Sequence, residues 1–258
     1  MNLWQALLLG VVQGLTEFLP ISSSGHLVLT NFLLGVSNDT IVFEISVHLG
    51  SLVAVLVYFR RDLAMVVVDF FRGGAGRHVG WMLLLAMIPT AIIGLVFKQP
   101  LESLFHAPRF ASMGLLFTAA VLFSSEKVKR GERPLEQVRW RDALLIGTLQ
   151  GLAIMPGVSR SGSTIAAGLF AGLTRDAAAR FSFLLSIPAI LGAGVVTARD
   201  FVEIEPGLAM PSLVGAVAAG ISGYVAIGLL MHILRTGRLY VFVGYTLLVG
   251  ILGLVLLP

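Results

Sequence analysis

The stretch PGLAMPSLVGAVAAGISGYVAIGLLMHIL, from Pro206 to Leu234, runs without a single Asp, Glu, Lys or Arg. About 20 apolar residues in helical form cross the roughly 30 Å hydrocarbon layer of a bilayer, so this stretch reads as a membrane span. Working outward, residues 239–258, 181–198, 110–125 and 81–97 are charge-free in the same way. Of the 258 residues, 57% are apolar and only 12% are charged. A soluble domain carries about 25% charged residues. The spacing therefore predicts an all-α polytopic membrane protein and excludes a soluble enzyme and a disordered chain. Solid apolar blocks, rather than alternation over about ten residues, argue against a β-barrel. The absence of Cys excludes thiolate chemistry and a disulfide scaffold. Met1–Gly10 has no basic leader, so no cleaved signal peptide is expected.

About six full spans are expected, at 41–59, 81–97, 110–125, 181–198, 210–234 and 239–257. Two other apolar segments are interrupted by polar, Pro- and Gly-containing turns: 3–36 at Pro20-Ile21-Ser22-Ser23-Ser24-Gly25, and 143–173 at Pro156-Gly157-Val158-Ser159-Arg160-Ser161-Gly162. Each reads as a re-entrant helical hairpin, a backbone tolerated at membrane depth only under cover of protein or a wet cavity.

The net charge of +4 does not point to nucleic acid, because the basic residues fall mainly between spans. Loops 60–80, 126–141 and 235–238 hold Arg60, Arg61, Arg72, Arg77, Lys127, Lys129, Arg130, Arg133, Arg139, Arg141, Arg235 and Arg238. The intervening loops, 98–109 and 199–209, hold Lys98, Arg109 and Arg199, and the remaining Arg160, Arg175 and Arg180 are assigned to the second hairpin. Positive-inside bias then puts the first three loops in the cytoplasm and both termini outside. Short identities recur between the halves. Gln13-Gly14-Leu15 matches Gln150-Gly151-Leu152, Ser24-Gly25 matches Ser161-Gly162, and Arg61-Asp62 matches Arg199-Asp200. An odd number of spans between the copies inverts the second. The expectation is a single domain, 1–258, with a first repeat at about 1–63 and an inverted second at about 143–201. That architecture recurs where broken helices bind small charged substrates.

Both hairpins carry polar residues that are costly in an apolar layer and are functional candidates for that reason. The first reads Gln13-Gly-Leu-Thr-Glu17-Phe-Leu-Pro-Ile-Ser22-Ser23-Ser24-Gly-His26. Gln13 and Glu17, four apart, share a helix face. A carboxylate beside an amide oxygen suits a hard divalent cation that also binds phosphate. The three serines offer hydroxyls, or simply an N-cap turn. His26 supplies a group that gives or takes a proton near neutral pH. In the second, Ser159, Ser161 and Thr164 surround Arg160, the one charge between residues 143 and 174. A guanidinium leading into a helix N-terminus suits a phosphate, although Arg160 could instead pair with Glu17 to tie the hairpins together. Glu44 and His48 fit either interfacial snorkelling or a supporting role near the site. Trp4, Trp81, Trp140, Tyr58 and Tyr240 mark span ends. No P-loop, HExxH or GxGxxG occurs.

These two motifs resemble the signatures of the undecaprenyl pyrophosphate phosphatase family, also called the bacitracin resistance proteins, and the resemblance covers essentially the whole chain. It implies a bacterial inner-membrane enzyme, open to the outer side, that removes the terminal phosphate of undecaprenyl diphosphate with Mg²⁺ or Ca²⁺. The monophosphate is thereby recycled for peptidoglycan and other envelope polymers. The family accepts Glu or Gln at the position of Gln13. On this reading Glu17, His26 and Arg160 are catalytic, and Gln13 and Glu17 hold the cation. Ser22, Ser23, Ser24, Ser159, Ser161 and Thr164 line the substrate. The nucleophile stays open between His26 and a serine activated by it. The expected partners are the polyprenyl diphosphate and membrane lipids, with a homo-oligomer left open. A lipid-carrier transporter without hydrolysis is the alternative that broken helices equally allow. A metal-independent lipid phosphatase is disfavoured, because Gly162–Gly172 lacks the His and Asp that such enzymes place after Ser-Arg.

Overall fold

Asn2 starts the first helix. Its side chain accepts from the Gln5 amide at 2.8 Å while Gln5 Oε1 accepts from the Asn2 amide at 2.9 Å, closing a capping box. The computed structural model describes residues 1–35, 41–97, 107–197 and 207–257. Within them the chain is α1 (Leu3–Phe18), α2 (Ser23–Leu34), α3 (Ile41–Tyr58), α4 (Arg60–Arg72), α5 (Ala75–Val96), α6 (Pro108–Glu126), a 3₁₀ turn (Leu135–Gln137), α7 (Trp140–Leu152), α8 (Arg160–Phe170), α9 (Arg175–Thr197), α10 (Ala209–Thr236) and α11 (Tyr240–Leu256).

Among the described residues, α5, α6, α9 and α10 are each long and apolar enough to cross a membrane, and α3 with α4 makes a fifth span if the pair, bent by 78°, counts as one. The remaining expected span, α11, is apolar but has 17 residues. Large apolar side chains stay exposed along these helices, among them Leu95, Ile221, Val241 and Val255. A surface of that kind belongs in lipid. The protein is a multi-pass membrane protein.

The segment 60–80 departs from the expected loop. It is helical through α4 and the start of α5. Asp62 in the first turn and Arg72 in the last complement the helix dipole, and Val66 is buried. Arg175 and Arg180 also move: they belong to α9 rather than to the second hairpin. Arg175 pairs with Glu126 at 2.7 Å, and Arg180 pairs with both Asp62 and Asp176 at 2.6 Å. Arg235 reaches Asp176 at 3.2 Å, and the Leu239 amide donates to Glu126. Asp62, Arg180, Asp176 and Arg235 thus form one ionic chain, and Arg175 with Glu126 forms a second pair. Of the loops expected outside, Lys98 and Arg199 lie outside the described residues.

Each hairpin breaks as expected. After α1, Pro20 cannot continue the ladder. Ser22, with φ +71°, then turns the chain and caps α2 by accepting from the Gly25 amide at 3.3 Å. After α7, Pro156 and Gly157 (φ +83°) turn the chain, and Ser159 caps α8 by accepting from the Gly162 amide at 3.0 Å. The four hairpin helices have 16, 12, 13 and 11 residues, each shorter than the roughly 30 Å core requires. Small residues dock them onto full-length helices. A Cβ on Gly10 would lie 2.3 Å from the Gly215 oxygen of α10, and one on Gly147 would lie 2.0 Å from the Ala86 oxygen of α5. Thr90 donates to the Gly147 oxygen across the second of these contacts. The two turns touch at Gly25 and Gly157, and Ser161 donates to the Leu19 oxygen at 3.1 Å. Thr118 of α6 pins the second turn. Its hydroxyl donates to the Gly157 oxygen at 3.0 Å and accepts from the Ser159 amide at 2.9 Å.

Candidate active site

The matched caps place Ser23 and Arg160 as the first residues of α2 and α8, and both reach the same carboxylate. Glu17 Oε1 accepts from Arg160 Nη2 at 2.6 Å. Glu17 Oε2 accepts from the Ser23 hydroxyl at 2.5 Å and from Gln13 Nε2 at 3.0 Å. The four-residue spacing of Gln13 and Glu17 therefore does put them on one face. Glu17 and Arg160 stand 143 residues apart, and their side chains are 7% and 16% exposed.

Two buried atoms here have no protein partner: Arg160 Nη1 and Gln13 Oε1. Each such atom costs about 1–3 kcal/mol, and a buried ion pair by itself adds little stability. A pair serving only to tie the hairpins would gain by satisfying these atoms. One open donor and one open acceptor beside a carboxylate instead leave valences for an anion and a cation. Among the described residues no group of three His, Cys, Asp or Glu could hold a metal. A cation here would thus take Glu17, the Gln13 amide oxygen and oxygens from outside the protein, which is how Mg²⁺ is commonly held.

His26 lies on α2 and is buried. Its Nδ1 is 2.7 Å from the Ser22 carbonyl oxygen, which can only accept, so Nδ1 carries a proton. Its Nε2 is 2.8 Å from the Tyr245 hydroxyl, with the rings stacked at 5.5 Å and 8°. The hydroxyls divide by role. Ser22 and Ser159 cap their helices and contact Ser24 and Ser161 at 3.3 and 3.2 Å. Thr164 is fully buried, and its hydroxyl is engaged with the Arg160 oxygen and with Ser182.

Two residues near the site lay outside the expected set. His48 Nε2 is 3.8 Å from Glu17 Oε2, so the supporting reading of His48 fits its position better than snorkelling. Its signal was the Glu44/His48 spacing, which pointed both ways. Tyr245 gave no signal, being a phenol within a charge-free helix with no ionisable neighbour in sequence.

Residues 6–252 match the bacitracin resistance protein BacA family. The chain is 43% identical to the undecaprenyl-diphosphatase of Halothermothrix orenii, over 99% of this chain and 98% of that protein. It is 45% identical to the undecaprenyl-diphosphatase of Carboxydothermus hydrogenoformans, with the same coverage of each. It is 43% identical to that of Mycobacterium leprae, over 100% of this chain and 95% of the relative. With both hairpin motifs inside the matched region and identity sustained from end to end, this chain belongs to the bacitracin resistance protein BacA family.

Proposed function

We propose that this chain hydrolyses undecaprenyl diphosphate to undecaprenyl phosphate and inorganic phosphate in the bacterial inner membrane, at a site open to the outer side, and so contributes to carrier recycling and bacitracin resistance. The observation that carries this reading is the Glu17–Arg160 pair formed across two re-entrant turns, with Arg160 Nη1 and Gln13 Oε1 still unpartnered. Diphosphate hydrolysis needs charge neutralisation, an in-line nucleophile and a proton for the leaving oxygen. Arg160 turns its open donor to a phosphoryl oxygen, and the α8 N-terminus favours the same charge. Glu17 and Gln13 would hold Mg²⁺ or Ca²⁺, which would supply neutralisation of diphosphate charge. Ser23 and Ser161 already spend their hydroxyl protons on Glu17 and the Leu19 oxygen, so among the turn serines the hydroxyls of Ser22, Ser24 and Ser159 supply the protons that can turn to the remaining oxygens. His26, with Nδ1 protonated, presents Nε2 either as base, taking a proton from a water whose oxygen bonds the terminal phosphorus, or as direct nucleophile, bonding that phosphorus itself until water cleaves the P–N bond. In both cases the bond from the terminal phosphorus to the bridging oxygen breaks, prenyl phosphate leaves, and the proton released from water goes to the phosphate products.

The names of the relatives and the part-buried Glu17–Arg160 pair support hydrolysis over transport without hydrolysis. The paired identities between the halves, together with the matched Ser caps and the matched Gly contacts, support an inverted repeat. Phosphate release from a prenyl diphosphate by purified protein tests the function. Wild type should release phosphate in a cation-dependent way and Glu17→Ala should not. No release from wild type with Mg²⁺ or Ca²⁺ would return the chain to the transporter reading.

A further inference from the structure

We propose that Tyr245 is a positioning residue for the reaction: with the Ser22 carbonyl it holds the His26 ring at both nitrogens and so fixes Nε2 as its reactive end. This rests on the role given to His26 above.

The Ser22 carbonyl at 2.7 Å puts the proton on Nδ1, which leaves Nε2 of the neutral ring as an acceptor. The Tyr245 hydroxyl at 2.8 Å is its donor. A ring anchored at one nitrogen still tilts about that bond, whereas a ring anchored at both, and stacked at 8° on a phenol, has one plane. Both anchors are themselves held. Ser22 sits at φ +71°, off the regions a serine prefers, and is fixed there by its hydrogen bond to the Gly25 amide. Tyr245 rides on α11, which packs Gly253 against Ser112 and Leu29 and Gly250 against Leu116. His26 is 8% exposed and Tyr245 41%, so the phenol stands at the more open edge of the imidazole. There an incoming phosphoryl group can take over Nε2 as the hydroxyl withdraws. The last helix of the chain would thereby set the geometry of a residue on the second.

Full-length enzyme in detergent provides the test, with kcat and KM for a prenyl diphosphate measured for wild type, Tyr245→Phe and His26→Asn. Histidine ¹⁵N spectra of each, with His26 identified by its loss in His26→Asn, report the tautomer. Tyr245→Phe keeps the stacked ring and loses only the donor. It should lower kcat about 10-fold or more with KM within about 2-fold, as loss of orientation does, and should shift the His26 Nε2 resonance. Wild-type kcat and an unchanged His26 spectrum in Tyr245→Phe, with His26→Asn inactive, would overturn the proposal. An Nε2-protonated His26 in the wild-type spectrum would overturn it even if the variant failed to fold. Full activity in His26→Asn would instead remove the role of His26, and this inference with it.

Discussion

Arg160 is the residue on which the two readings of the second hairpin separate. Its Nη2 grips Glu17 and its Nη1 has no protein partner. Arg160→Lys keeps the charge and discards the planar two-pronged donor. A hydrogen bond to a charged group contributes about 1.5–3 kcal/mol, so kcat/KM should fall about 10- to 100-fold in a protein that still folds. Activity within twofold of wild type would make Arg160 a tie rather than a substrate ligand. Glu17→Gln should abolish activity that excess Mg²⁺ does not restore. It should also lower the unfolding midpoint in detergent, because it leaves a buried guanidinium without its counter-charge. Gln13→Glu behaves differently. It puts a second carboxylate where Gln13 Nε2 now donates to Glu17 at 3.0 Å, so the two should repel until a cation lies between them. Its thermal midpoint should rise on adding Mg²⁺ by more than that of wild type. Equal rises in both proteins would count against a cation at this pair.

The elements meet through glycine and threonine, as expected where lipid removes any apolar driving force between helices. Gly147→Val would place its Cβ 2.0 Å from the Ala86 oxygen, so α7 must leave α5, and expression of folded protein should collapse. Gly194 of α9 has nothing within 4 Å of an added Cβ. Gly194→Ala should therefore be neutral or add up to about 1 kcal/mol through helix propensity, read as an equal or higher midpoint. A loss of midpoint there would mean that this face of α9 is closely covered in the membrane. The hairpins themselves were legible because Pro, Gly and Ser punctuate a backbone irrespective of solvent. The helix α4 was not legible, because Arg60, Arg61 and Arg72 at its two ends read as a loop when only apolar blocks are sought. Its pairing with α9 through Asp62 and Arg180 is not written locally.

At the scale of the molecule, the charge tally and the contacts agree. Arg180, Asp62, Asp176 and Arg235 join α4, α9 and α10 in one ionic chain, and Arg175 with Glu126 ties α6 to the same end. These segments therefore meet at one end of the fold. From the basic excess we propose that this end is the cytoplasmic one. The Cys-free chain makes this simple to check. A single Cys at 130 should resist impermeant thiol reagent in intact cells and react after permeabilisation, and labelling in intact cells would reverse the topology.

The sequence by itself determined the membrane class, the positions of the two broken segments and the shared face of Gln13 and Glu17. Each of these depends on residues within about one span of one another: a charge-free window, a Pro–Ser turn, a four-residue step. Tertiary structure alone decided that Arg160 reaches Glu17, that Ser23 completes the same carboxylate, and that Tyr245 holds His26 from 219 residues away. The physical reason lies in the solvent. In water an apolar stripe marks the face that a helix turns to its neighbour. In lipid both faces are apolar, so hydropathy is silent on which helix packs against which. Only the close approach of small residues and the satisfaction of buried polar groups choose among the pairings, and both are properties of the assembled fold.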